Sequence, residues 1–327
     1  MTRMFGWCKR LLAACLLAAI PMAAMAAFPE RPITLVVPWG PGGGGDIVTR
    51  ALVPALEKEL GQTMVVINKE GGSGTIGASF TAHAKPDGYT VGMINDTGYV
   101  HQVLYGGTDY GKDDMEPLCI FLRAPIFLAV NAKSDIKTID DFIAAAKKNP
   151  GKLTVSCSSL GGSTHLTWEM FFRKAGITVQ IMPFKGGGNA ASIALAGGHV
   201  QAGVAHPSEY GPHVQSGKIR LLGVAEDQRL KNFPDVPTLK ELGYDVNGAA
   251  IRTFSVPKGV PADVKARLIK AFEVAVKGPD FQALVDKIGD LVWYVGPEEA
   301  QKILDKENDE FTEIIKDLGM YQKNVKK

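Results

Sequence analysis

Along the chain, short apolar runs alternate with longer stretches in which apolar residues recur every three or four positions. Residues 33–37 (Ile-Thr-Leu-Val-Val) are nearly continuous and β-branched, the pattern of a strand buried on both faces. Beyond Asp46, Ile47, Val48, Ala51, Leu52, Ala55, Leu56 and Leu60 recur with helical spacing until Gly61 stops them. Residues 64–67 and 90–94 predict two further strands, with a small-residue helix ending near His83 between them. The alternation resumes with strand-like runs at 126–130, 153–157, 179–182, 200–204 and 219–224. Helix starts are predicted at Thr138, where Thr138 and Asp141 have capping-box spacing, at His165, and after Asn189. Residues 250–256 read as a strand crossing back to the first part of the chain, and 262–276 as a helix. Pro297 opens a last helix whose stripe is Ala300, Ile303, Leu304, Phe311, Ile314, Ile315 and Leu318. This order predicts an α/β fold around mostly parallel sheets, and about 300 residues are long for one core and suit two lobes.

The junction between the first strand and the first helix reads Pro38-Trp39-Gly40-Pro41-Gly42-Gly43-Gly44-Gly45-Asp46. Four consecutive glycines there bring bare backbone close to a partner and leave N–H groups of the first helical turn facing outward, an anion-binding geometry. The two prolines limit the freedom of the glycines, so the loop is shaped rather than loose. Asp46 suits an N-cap. Gly40, Gly42 and Gly45 satisfy the dinucleotide fingerprint, but so glycine-rich a run satisfies many patterns, and no acidic residue ends the second strand. The same device recurs after residues 153–157: Ser158-Ser159-Leu160-Gly161-Gly162-Ser163-Thr164-His165 leads from a strand into a helix. The loop Asn95-Asp96-Thr97 follows the carboxyl end of the third strand, where ligands gather in open α/β sheets.

Composition narrows the class. Arg3, Lys9 and Arg10 precede an apolar run ending at Ile20 and the small-residue site Ala24-Met25-Ala26, so residues 1–26 read as a secretory signal peptide and the expected location is the periplasm. Removing them takes the formal charge from +2 to −1, which gives no support for nucleic-acid binding. Cys119 and Cys157 are the cysteines that stay; they are free to pair or not, and no spacing of Cys or His suggests a metal. No cofactor is expected.

Several side chains invite a chemical role. Ser163 and His165 allow a hydrolase reading, but they give proximity along the chain without a positioned base or oxyanion donors. Lys185, beside Gly186, is either an anion ligand or a solvated turn residue. Arg252 lies in an apolar segment where an unpaired charge is costly, so it wants a ligand carboxylate or an internal Asp or Glu. His206, just beyond a strand end, belongs to the same group.

Taken together, Arg31-Pro32-Ile33, Pro41-Gly42-Gly43 with Asp46, Gly61-Gln62, Lys85-Pro86-Asp87-Gly88-Tyr89-Thr90, Asn149-Pro150-Gly151-Lys152-Leu153, Lys185-Gly186-Gly187, Gly217-Lys218-Ile219-Arg220, Pro234-Asp235-Val236-Pro237-Thr238 and Pro257-Lys258-Gly259 resemble the solute-binding proteins of tripartite tricarboxylate transporters, the Bug-type periplasmic receptors. The resemblance covers the whole chain after residue 26. It implies a two-lobed periplasmic-binding-protein fold of type II, with lobe I at 27–127 plus 253–327 and lobe II at 128–252. It implies a monomeric receptor, not an enzyme, that closes on a small organic acid and delivers it to membrane transporter subunits, with a sensor subunit docking on a membrane signalling protein as the alternative. The ligand-binding positions it suggests are Trp39, Gly40, Gly42, Gly43, Gly44, Asp46, Asp96, Thr97, Ser158, Ser159, Gly161, Ser163, Thr164, His165, Lys185, Gly186, His206 and Arg252. The second loop departs from the family's S-x-G-x-G-S-x-x-H: Cys157, Ser159 and Gly162 stand at the first Ser, first Gly and second Ser. Ala205-His206 likewise stand where relatives often carry Asp-Asn.

Overall fold

A computed structural model describes residues 28–323, so the signal-peptide expectation lies outside the described residues. Two mixed sheets, each flanked by helices, make a two-lobed α/β fold. In the first sheet, β1 (Ile33–Val37) lies between β2 (Met64–Asn68) and β3 (Thr90–Asn95), parallel to both. β3 then pairs antiparallel with β10 (Ala249–Pro257), which pairs with β4 (Met115–Pro125), and β11 (Leu291–Val295) closes the edge. The second sheet runs β7 (Gln180–Pro183), β6 (Thr154–Cys157), β8 (Ala202–Ala205), β5 (Phe127–Asn131), β9 (Ile219–Val224).

The first helix, α1 (Gly44–Leu60), buries Val48, Leu52, Leu56 and Leu60 at i, i+4 spacing against the first sheet. Gly61 ends it at φ +70°, a left-handed conformation that costs glycine little, and its N–H closes on the Glu57 carbonyl at 2.9 Å. The small-residue helix is α2 (Thr75–Ala82), and a single turn, α3 (Gln102–Tyr105), follows the π-helical turn Thr97–His101. In the second lobe, α4 (Ile139–Lys148) has the expected capping box, with the Asp141 N–H on Thr138 Oγ1 and the Thr138 N–H on Asp141 Oδ2. It is followed by α5 (Ser163–Lys174), α6 (Gly187–Ala196) and α7 (Pro207–Gln215). The chain ends on α8 (Ala262–Lys277), α9 (Pro279–Ile288) and α10 (Pro297–Asp317), whose Ala300, Leu304 and Ile315 are buried as the stripe predicts. Among the described residues, no helix is long and apolar enough to cross a membrane.

Each lobe has its own core. Phe121, Phe254 and Phe272 stack in series in the first, centroids 4.4 and 4.3 Å apart, while Trp168, Phe171 and Phe172 fill the second. Cys119 and Cys157 lie in strands of different sheets, buried and free, with burial raising both thiols to about 12. The segment read as a strand crossing back to the first lobe, 250–256, is part of β10, wholly buried inside the first sheet, and the crossing comes just before it, at Gly248, whose N–H bonds the Ala225 carbonyl. Residues 249–252 thus pair with the first sheet although the sequence places them in lobe II, and Phe127 pairs with the second although it is placed in lobe I. The two crossings lie side by side: Ala249 is the register partner of Pro125, and the Ala225 N–H reaches the Ile126 carbonyl at 3.1 Å. Arg123 donates across this hinge to Glu226 at 3.1 Å.

Candidate functional site

Four helices begin at one cleft. Gly44 of α1 comes from the first lobe; Ser163 of α5, Gly187 of α6, and His206, the N-cap of α7, come from the second. Each start leaves backbone N–H groups without intrahelical partners and carries the positive end of a helix dipole, so the cleft is electropositive before any side chain is counted. About 670 Å³ of empty space, the open solvent at its mouth included, lies between these starts.

The glycine loop owes its shape to Asp46, which does not line the cleft. Its carboxylate accepts from the Gly42 N–H, Arg50 Nε and Asn68 Nδ2, all at 2.9 Å, and Asn68 also donates to the Trp39 carbonyl. Burial alone would raise this carboxyl; the bonds from Arg50, Gly42 and Asn68 outweigh it and hold it below its ordinary value. Gly42, at φ +74°, is committed to this clamp and also lies off the cleft. Gly40, Gly43 and Gly44 do line it, and a Cβ on Gly44 would stand 2.5 Å from Ser208 Oγ of the other lobe. Trp39 reaches the opposite wall, 3.5 Å from where a Gly187 Cβ would be.

Across the cleft mouth the lobes are bonded directly. Ser163 Oγ donates to Asp96 Oδ1 at 2.7 Å and lies 2.8 Å from Thr97 Oγ1, which also accepts from the Ser163 N–H at 3.1 Å. Asp96 is buried behind the wall, accepting also from the Thr97 and Ile251 N–H groups. Gln102 Nε2 donates to the Leu160 carbonyl as a second inter-lobe bond. Asp96 is therefore a clamp between lobes and does not reach the cleft, whereas Thr97 and Ser163 line it.

In the second loop, Ser158 and Thr164 line the cleft and bond to each other at 2.8 Å. Gly161 and His165 do not. The Gly161 N–H donates to His165 Nδ1 at 3.0 Å, and burial lowers the ring to about 4, so the imidazole is neutral and fixes the loop. A Ser–His catalytic pair is not assembled: Ser163 faces Asp96, and His165 faces the Gly161 N–H. Ser159 and the exposed Lys185 line a neighbouring groove with Glu70, while Gly186 borders both spaces.

At the inner end, Arg252 and His206 line the cleft. Arg252 has the internal partner left open by the sequence: Nη1 donates to Asp290 at 3.0 Å, and burial raises the Asp290 carboxyl even though Arg252 opposes the shift. His206 Nδ1 donates to the Pro125 carbonyl at 3.0 Å, which ties this wall to the hinge and leaves Nε2 for other contacts. Sequence reasoning missed Asn95, Asn189 and Glu209. Asn95 and Asn189 sit in loops already marked. Glu209 was legible only as a capping box, its Oε2 accepting from the His206 N–H at 3.1 Å.

The fold and the cleft can be set beside known proteins. Residues 48–320 match the family model described as tripartite tricarboxylate transporter family receptor. The UPF0065 protein in the gbd 5' region of Cupriavidus necator is 35% identical over 309 residues, 93% of each chain. Among solved structures, the periplasmic binding protein BugD aligns with a TM-score of 0.84 at 28% identity, covering 90% of this chain and 99% of its own. An R. palustris protein solved with adipate aligns at 0.85 and 26%, covering 89% and 98%. A match that runs from the glycine-loop helix to the last helix, with both lobes superposing, leaves one assignment: this chain belongs to the tripartite tricarboxylate transporter receptor family of periplasmic solute-binding proteins.

Proposed function

We propose that this chain captures a small organic acid between its lobes and delivers it to the membrane subunits of a tripartite tricarboxylate-type transporter. The observation that carries this reading is the convergence of four helix starts from both lobes, with Arg252, on one cleft. A carboxylate would be held mainly by backbone N–H groups of Gly44 and Gly45 on one side and by Ser158, Ser163 and Thr164 on the other. Lobe closure about the paired crossings at Pro125 and Ala249 would complete that shell. Adipate in the R. palustris relative is an acid of this class. The protein acts as a receptor and not as an enzyme, because the residues that could form a catalytic pair are spent on clamps. It works as a periplasmic monomer.

The test is a thermal-shift screen of mono-, di- and tricarboxylates and aromatic acids, including malate against succinate. Ligand at 100 times its Kd stabilises a folded protein by about 2.7 kcal/mol, which is readily seen. At least one acid should raise Tm and be recovered unchanged. Because Glu209 brings a carboxylate to the wall, malate, with its hydroxyl donor, should outbind succinate. Failure of every acid to stabilise the chain, or conversion of the acid to a product, would remove this function.

A further inference from the structure

Behind the clamp, three side chains distant in sequence converge. Asp96, His101 at the end of the π-helical turn, and Glu307 in the middle of α10 each present one donor atom, and these atoms lie within 4.8 Å of one another. None of the three lines the solute cleft. His101 is completely buried, and neither of its ring nitrogens has a hydrogen-bond partner; Glu307 Oε2, also buried, has none. Buried polar atoms are normally paired, and an imidazole with both nitrogens idle forfeits its hydration for nothing. Phe311 packs on the ring, centroids 4.2 Å apart, and keeps it in place. Asp96 accepts one hydrogen bond at Oδ2, from the Ile251 N–H, so that oxygen has a lone pair to spare.

We propose that Asp96, His101 and Glu307 form a binding site for a divalent transition-metal ion of the Zn²⁺ type. One imidazole nitrogen with two carboxylate oxygens suits such an ion, whereas calcium takes six to eight oxygens and magnesium a near-octahedral oxygen shell. The two carboxylates balance its charge. If all three donor pairs stood at the 4.8 Å limit, an ion at their centre would be about 2.8 Å from each, so reaching the usual ~2.1 Å takes a shift of under about 1 Å apiece. A fourth position remains for water. The ion would share Asp96 with Ser163, so its binding would steady the acceptor of the inter-lobe hydrogen bond. Residues 96, 101 and 307 have no metal-motif spacing, which is why only the fold brings them into view.

The full chain, purified without a histidine tag and stripped with a chelator, is titrated with Zn²⁺ by calorimetry and with Co²⁺ by visible absorption. One saturable equivalent is expected, with a raised Tm in Zn²⁺ and the intense bands of low-coordinate cobalt. His101→Asn and Glu307→Gln should each weaken binding at least tenfold. Absence of saturable binding to the wild type overturns the site, as does wild-type affinity in both folded variants, which would place the ion on surface groups. If the variants fail to fold, the cobalt spectrum decides: a pale octahedral aquo spectrum overturns the proposal.

Discussion

Removing one hydroxyl should loosen the whole receptor. Ser163 Oγ donates to the buried Asp96 carboxylate at 2.7 Å, from the start of a helix in one lobe to a loop in the other. A hydrogen bond to a charged group contributes about 1.5–3 kcal/mol. Ser163→Ala keeps the helix, because alanine is the best helix former, and so removes that free energy from the closed arrangement alone. If solute binds the closed arrangement and the free chain is mostly open, the deficit enters the apparent affinity in full, a rise in Kd of about 10- to 150-fold at 1.4 kcal/mol per decade. Ser163 also lines the cleft, so part of any loss could come from the solute itself. Asp96 does not line it, and Asp96→Asn, which leaves Ser163 and Thr97 only a neutral amide oxygen and turns an NH2 onto the Ile251 N–H, separates the two. Calorimetric titration of both single variants and the double variant with the acid found by the screen closes the cycle. Both single variants should lose affinity, and the double variant should be little worse than either. Wild-type affinity in folded Asp96→Asn, or losses that simply add, would refute the clamp.

Other consequences follow from the same geometry. Gly44→Ala places a methyl 2.5 Å from Ser208 Oγ, so it should weaken solute binding without lowering Tm, and Ser208→Gly added to it should restore part of the affinity in the same titration. Arg252→Met leaves Asp290 buried without its cation, and breaking a buried pair costs about 3–5 kcal/mol; urea unfolding should show that loss, and a loss under 1 kcal/mol would mean the pair is dispensable. His165 is lowered from 6.5 to about 4 by burial, so the folded chain binds fewer protons than the unfolded one in that window, and stability should fall as pH drops through it. His165→Gln, which keeps an acceptor for the Gly161 N–H, should flatten that part of the stability profile.

How much of this was legible from residues alone depends on how local each determinant is. The first strand, the glycine loop and α1 are contiguous, and their pattern names them directly. β4 was missed because Pro117 and Pro125 bracket its apolar run, and prolines argue against a central strand. β10 reads as a crossing segment because its neighbours in the sheet, β3 and β4, lie far away in sequence. In the site, the residues presented by helix starts were legible, since a glycine- or hydroxyl-rich junction is a local signal. What could not be read was direction. Asp46, Asp96 and His165 belong to the right loops, yet each turns its polar atoms onto neighbouring backbone or onto a side chain such as Arg50 or Ser163. Only the tertiary fold decides whether a polar side chain in a binding loop faces the ligand or holds the loop.

The central claim is that solute is held between two lobes that close on it, and small-angle X-ray scattering from the full chain with and without the acid tests it most directly. Because Ser163, Thr97, Gly44 and Ser208 meet across the cleft, a solute that touches both walls must favour the closed arrangement by its differential affinity. Saturating acid should therefore reduce the radius of gyration, and Ser163→Ala should shrink that change at equal acid concentration. An unchanged scattering curve at saturation, confirmed by calorimetry in the same buffer, would contradict capture by closure.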